Sequence, residues 1–133
     1  MSFYKWDIMS FCTVINCMDG RIQLPVFEYL QKRFDADYVD SITEAGPNLI
    51  LAKQTNINIV ESVFHRLKIS IERHASVGIA VAGHYDCAGN PSTKEEQTGH
   101  TIEAIRCIKS RYSELEVIGL WIDENWEVSE LSY

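Results

Sequence analysis

The chain has 133 residues, 46% of them hydrophobic and only three of them proline, enough for one packed core and too few for two ordinary domains. A formal charge of −7, with Lys53, Lys68 and Lys94 scattered along the chain, excludes the basic stripe by which nucleic-acid binders displace phosphate counterions. No apolar run approaches the roughly 20 residues that cross a bilayer, and the opening MSFYKWDIMSF lacks the basic-then-apolar order of a signal peptide.

These features predict one cytoplasmic domain spanning residues 1–133, with neither a nucleic acid nor a membrane as partner. In such a compartment the four cysteines are expected as free or metal-bound thiols, because a chain of this size needs no disulfide framework.

In chain order, the first predicted strand is Phe11–Asn16, a short apolar run. Pro25–Phe34 reads as a helix, with Pro25 at its first position and Phe27, Leu30 and Phe34 on one face. Tyr38–Glu44 is the second strand. Asn58–His74 is a long helix with Val60, Phe64, Leu67 and Ile71 on one stripe, and Gly78–Gly83 is the third strand. Ser92–Gly99, including Lys94-Glu95-Glu96, reads as a solvated, flexible stretch, followed by a helix over Thr101–Tyr112 that Thr98 or Thr101 caps. Glu116–Ile122 is the fourth strand, and Glu127–Leu131 is expected to turn back across Glu124–Asn125 as an antiparallel edge. Strand and helix alternating three times imply parallel strands joined by right-handed crossovers, an α/β sheet with helices on both faces.

The chemistry-bearing residues fall just past two of these strands. Cys17 follows the first, and His84 and Cys87 follow the third, so all three emerge at carboxyl ends of parallel strands, where open α/β sheets bind ligands. Two thiolates and an imidazole suit zinc, and three protein ligands leave a fourth position open. In Cys17-Met18-Asp19-Gly20-Arg21, an extended path puts Cys17, Asp19 and Arg21 on one side. Asp19 can then ligate the metal or take a proton from metal-bound water, while Arg21 holds that carboxylate bidentately. Taken singly, His-x-x-Cys also reads as a buried thiol beside a hydrogen-bonded histidine, and Asp19–Arg21 as a surface ion pair.

Cys17-x-Asp19-x-Arg21, followed after 62 residues by His84-x-x-Cys87, resembles the signature of the β-class carbonic anhydrases. Glu44-Ala45-Gly46-Pro47-Asn48 resembles that family's Asn-Ala-Gly turn, and Val117–Asp123 its closing strand. The resemblance covers Phe11 to Leu131. It implies a mostly parallel four-stranded sheet of order 2-1-3-4 with a fifth strand at the edge. It also implies Zn2+ on Cys17, His84 and Cys87, a catalytic Asp19–Arg21 dyad, and reversible hydration of CO2 to bicarbonate by a zinc-bound hydroxide, in a homodimer or higher homo-oligomer. Alternatives on the same fold are a zinc hydrolase of CS2 or COS, and a non-catalytic, zinc-stabilised binding or regulatory protein. The segments before the first strand and after His84-x-x-Cys87 are shorter than the family's usual ones, so the interface is expected to be smaller or different.

The remaining candidates read as structural. Cys12, five residues from Cys17, is expected on the opposite face of the strand as a core residue, and Cys107 on an apolar helix stripe. His65 and His74 read as solvated or capping residues, and His100 as a surface residue or a proton shuttle. Trp6, Trp121 and Trp126 read as core or interface anchors.

Overall fold

The structure is a computed structural model that describes residues 9–133; Trp6 lies outside the described residues. The strands are β1 (Phe11–Cys17), β2 (Tyr38–Glu44), β3 (Ile79–His84), β4 (Val117–Ile122) and β5 (Val128–Glu130). Between them run α1 (Gly20–Arg33), α2 (Pro47–Lys53), α3 (Ile57–His74) and α4 (Lys94–Lys109). The sheet has the order β2-β1-β3-β4-β5; β2, β1, β3 and β4 are parallel, and β5 pairs antiparallel with β4.

Side chains alternate between the two faces of this sheet, and each set meets its own helices. On one face Cys12, Val14, Ala80, Ala82, Leu120 and Ile122 pack with Ile22, Val26 and Leu30 of α1. On the other, Ile15, Ile42, Ile79 and Val81 pack with Leu51 of α2, Val60, Phe64 and Leu67 of α3, and Ile105 and Ile108 of α4. The central strands β3 and β4 are buried at every position, as parallel strands covered on both faces must be, whereas edge strand β2 carries Asp40, Ser41 and Thr43. Cys12 is fully buried as expected, packed as a core residue with Val14 and the helix α1 side chains.

Three helix starts differ from the sequence reading. Helix α1 begins at Gly20, with Asp19 as its N-cap accepting from the Arg21 N–H, and Pro25 lies inside it. The missing Pro25 N–H forfeits only the bond to the Arg21 carbonyl, in the first turn, where the cap and the buried Ile22, Val26 and Leu30 already hold the helix. Helix α4 begins at Lys94, within the stretch read as flexible, because Thr93 and Glu96 form a reciprocal capping box. The short helix α2, absent from the sequence reading, follows Gly46 at φ 64° with Pro47 at its first turn.

From β1 the chain crosses to β2 on one side, and from β3 it crosses to β4 on the other, so the connections diverge between neighbours β1 and β3. These two strands pair only over Thr13–Ile79, Val14–Ala80 and Ile15–Val81, although β1 continues beside β2 to Cys17 and β3 beside β4 to His84. Their carboxyl ends therefore part into a crevice.

Candidate metal centre

Cys17 ends β1 on one side of this crevice, while His84 ends β3 on the other and leads into the loop that carries Cys87. All three are buried, with Cys17 5%, His84 1% and Cys87 4% exposed. The two sulfurs and one His84 ring nitrogen lie within 4.8 Å of one another. His84 Nδ1 donates to the Tyr85 carbonyl at 2.7 Å, which leaves the Nε2 lone pair facing inward. Among the described residues, Nε2 is the buried side-chain nitrogen or oxygen without a hydrogen-bond partner. Leaving such an atom unpaired costs about 1–3 kcal/mol unless something occupies the space before it.

The thiols add to that requirement. Cys87 Sγ donates to Cys17 Sγ at 3.8 Å. This bond pulls the Cys17 thiol well below its ordinary pKa and pushes that of Cys87 up, since a single proton serves both sulfurs. Two thiolates each about 2.3 Å from a shared tetrahedral zinc stand about 3.8 Å apart. The separation, the orphaned imidazole nitrogen and the soft donor set all fit that ion.

Asp19 and Arg21 come to this place by a different route from the extended path expected of them. The strand stops at Cys17, Asp19 caps the helix, and Arg21 sits in its first turn. The guanidinium grips the carboxylate at both oxygens, Nη2 to Oδ2 at 2.7 Å and Nε to Oδ1 at 3.0 Å. These bonds hold the Asp19 carboxyl down to about 2, so it is ionised throughout the neutral range.

Several residues of the site were not singled out in the sequence. Arg21 is also held by the Asp86 carboxylate at 3.2 Å and the Asp86 carbonyl at 3.1 Å, and its guanidinium lies 4.6 Å from the Trp126 ring centroid. Gln23 donates to the carbonyls of both Cys17 and Asp19 at 2.8 Å, fixing the turn from β1 to α1. Asp86 sits within the His84-x-x-Cys87 motif and could have been noticed there, and Gln23 carries no local signal; Trp126, read as a core or interface anchor, packs partly buried against the core, and its place beside Arg21 was not foreseen.

The other readings sort as follows. His65 is exposed, and His74 pairs with Asp40 at 2.6 Å and stacks on Phe11. His100 lies within α4 and accepts from the Asn90 amide at 3.1 Å, and burial lowers its pKa. Cys107 is partly buried against the α2–α4 side of the core, and Trp121 is buried in β4. A cavity of about 460 Å³ adjoins the metal loop, lined by Tyr85, Asp86, Lys94 and Trp121 among others. No described helix is long and apolar enough to cross a membrane.

Residues 8–132 match the family model described as "Putative carbonic anhydrase". No curated protein sequence matches the chain. Among solved structures, the chain is similar to one of two tetrameric β-carbonic anhydrases from the filamentous ascomycete Sordaria macrospora, at 12% identity and TM-score 0.60. That likeness covers 100% of this chain and 86% of the other. It is similar to wild-type β-carbonic anhydrase CafD of Aspergillus fumigatus at 12% identity and TM-score 0.60, over 93% of this chain and 90% of that one. A carbonic anhydrase from Glaciozyma antarctica shares 14% identity at TM-score 0.52, over 90% and 81%.

Proposed function

The chain belongs to the carbonic anhydrase family whose model spans residues 8–132, and from that premise we propose that it is a zinc-dependent carbonate dehydratase interconverting CO2 and bicarbonate. The observation that carries the reading is the buried Cys17, His84 and Cys87 triad with an unpartnered His84 Nε2, set beside an ionised Asp19. Cys17, His84 and Cys87 would hold the zinc. When bound, that ion supplies a Lewis acid that lowers the pKa of water from about 15.7 to about 7, making hydroxide available at neutral pH.

The chain's own residues supply orientation. Asp19, kept ionised by Arg21, is placed as a hydrogen-bond acceptor that would orient a hydroxyl donor at the site. Arg21 fixes the carboxylate through two parallel N–H···O bonds, and Asp86 and Trp126 fix Arg21 in turn.

The protein is further proposed to act as a single domain in the cytoplasm, a setting consistent with four free cysteines, and as a homodimer or higher homo-oligomer. Exposed Met18, Leu24 and Tyr85, which neighbour Cys17, Arg21 and His84 in sequence, offer apolar surface for such an assembly. The test of function is stopped-flow CO2 hydration with zinc content measured on the same sample. Protein loaded with one zinc per chain should accelerate hydration well above buffer, and a loaded sample no faster than buffer refutes the proposal.

A further inference from the structure

Gln97 is 1% exposed on the first turn of α4, and every polar atom of its side chain is spent on the loop that carries His84 and Cys87. Its Oε1 accepts the His84 backbone N–H at 3.2 Å, while its Nε2 donates to the His84 carbonyl at 2.8 Å and to the Asn90 carbonyl at 3.2 Å. One amide thus closes both backbone groups of His84 and a carbonyl three residues beyond Cys87, bracketing the loop at each end. A Cβ on Gly83 would come within 2.9 Å of Gln97 Oε1 and of Asn48 Nδ2, so the residue before His84 leaves the space this amide needs. Asn48 adds an amide to Gln97 Oε1 at 3.4 Å and receives the Asn90 amide at 3.1 Å, locking the glutamine's orientation.

We propose that Gln97 is a positioning residue of the metal centre. It grips the backbone of the loop that supplies two of the three ligands, and thereby sets the spacing of His84 Nε2 and Cys87 Sγ relative to Cys17. Outer partners of metal ligands usually act on the ligand side chain, as the Tyr85 carbonyl does on His84 Nδ1. Gln97 acts one bond further out, on the peptide groups from which the ligand projects. It rests on the zinc reading above.

The experiment measures zinc affinity by chelator competition, and the visible spectrum of the Co2+-substituted protein, for wild type, Gln97→Met and Gln97→Glu. Gln97→Met keeps the volume and removes all three bonds to the loop, together with that from Asn48; Gln97→Glu keeps the shape and the acceptor but sets an oxygen against two carbonyls. Both should lose about 10–100-fold in zinc affinity and show altered Co2+ bands. Ile108→Val, which trims the same helix in the core away from the loop, should lower the melting temperature while leaving affinity and spectrum unchanged. A folded Gln97 variant with wild-type affinity and wild-type bands overturns the proposal. Should neither variant fold, hydrogen exchange on the zinc-loaded wild type decides: the His84 amide must be strongly protected, and fast exchange there also overturns it. Failure of wild type itself to take up zinc would instead refute the metal reading, so the two failures are distinct.

Discussion

The tight approach of Gly89 to the turn after β2 gives the sharpest test of how the site is held. A Cβ built on Gly89, two residues past Cys87, would lie 2.3 Å from the Ala45 carbonyl carbon and 2.6 Å from the Gly46 nitrogen, against an ordinary contact of 3.4–4 Å. The turn after β2 cannot give way alone, because the Met18 N–H bonds the Glu44 carbonyl at 2.8 Å and ties that turn to the Cys17 side. Gly89→Ala must therefore drive the Cys87 loop away from Cys17 by about 1 Å, an overpacking that costs about 1–3 kcal/mol. At roughly 4 °C per kcal/mol for a chain of this length, the melting temperature should fall by about 4–12 °C, and zinc affinity by about tenfold or more. Gly99→Ala is the opposite control. Its Cβ meets nothing within 4 Å on the exposed side of α4, so it should stabilise by about 0.5–1 kcal/mol through helix propensity. Thermal melts and chelator competition on both variants read the result. Gly89→Ala with wild-type melting and wild-type zinc affinity would show that the two loops do not set the ligand spacing.

Three further outcomes follow from the same geometry. Removing zinc by chelation should lower the melting temperature and open Cys17 and Cys87 to a maleimide, while Cys12, fully buried and with its thiol pushed up to about 11 by burial, stays unlabelled; mass spectrometry of the labelled peptides checks this. Arg21→Ala should leave zinc content intact by elemental analysis and cut kcat for CO2 hydration by about 10²-fold, the scale on which a lost orienting or charge-stabilising group acts; retained kcat would remove Arg21 from the mechanism. Ser70→Ala breaks a buried chain in which Ser70 Oγ contacts Thr13 Oγ1 at 2.6 Å and donates to Asp40 at 2.6 Å. Four residues down β1 from Cys17, this loss should cost about 1–3 kcal/mol in chemical denaturation and leave zinc affinity unchanged.

How far the sequence reaches is clearest at particular residues. The alternation of short apolar runs with amphipathic stretches was enough to place four parallel strands and three of the four covering helices, because periodicities of 2 and 3.6 are local properties that burial on a sheet enforces. The order 2-1-3-4 came from the family resemblance, whereas the antiparallel fifth strand was already read from the turn at Glu124–Asn125, and the structure has both. Motif spacing likewise nominated Cys17, Asp19, Arg21, His84 and Cys87, since each lies within a few residues of a strand end. Local pattern misjudged the path between them. Cys17, Asp19 and Arg21 meet through a strand end, a helix cap and a first turn, and Thr93 with Glu96 starts a helix where composition suggested a loop. What only the tertiary structure decided are the partners that no spacing encodes. The parting of β1 and β3 after Ile15 and Val81 opens the crevice. Asp86 and Arg21 meet across 65 positions, Trp126 arrives from the β4–β5 turn, and Gln97 reaches from α4 to the backbone of His84. Such contacts depend on how whole elements pack, whereas a strand end announces itself within a handful of residues.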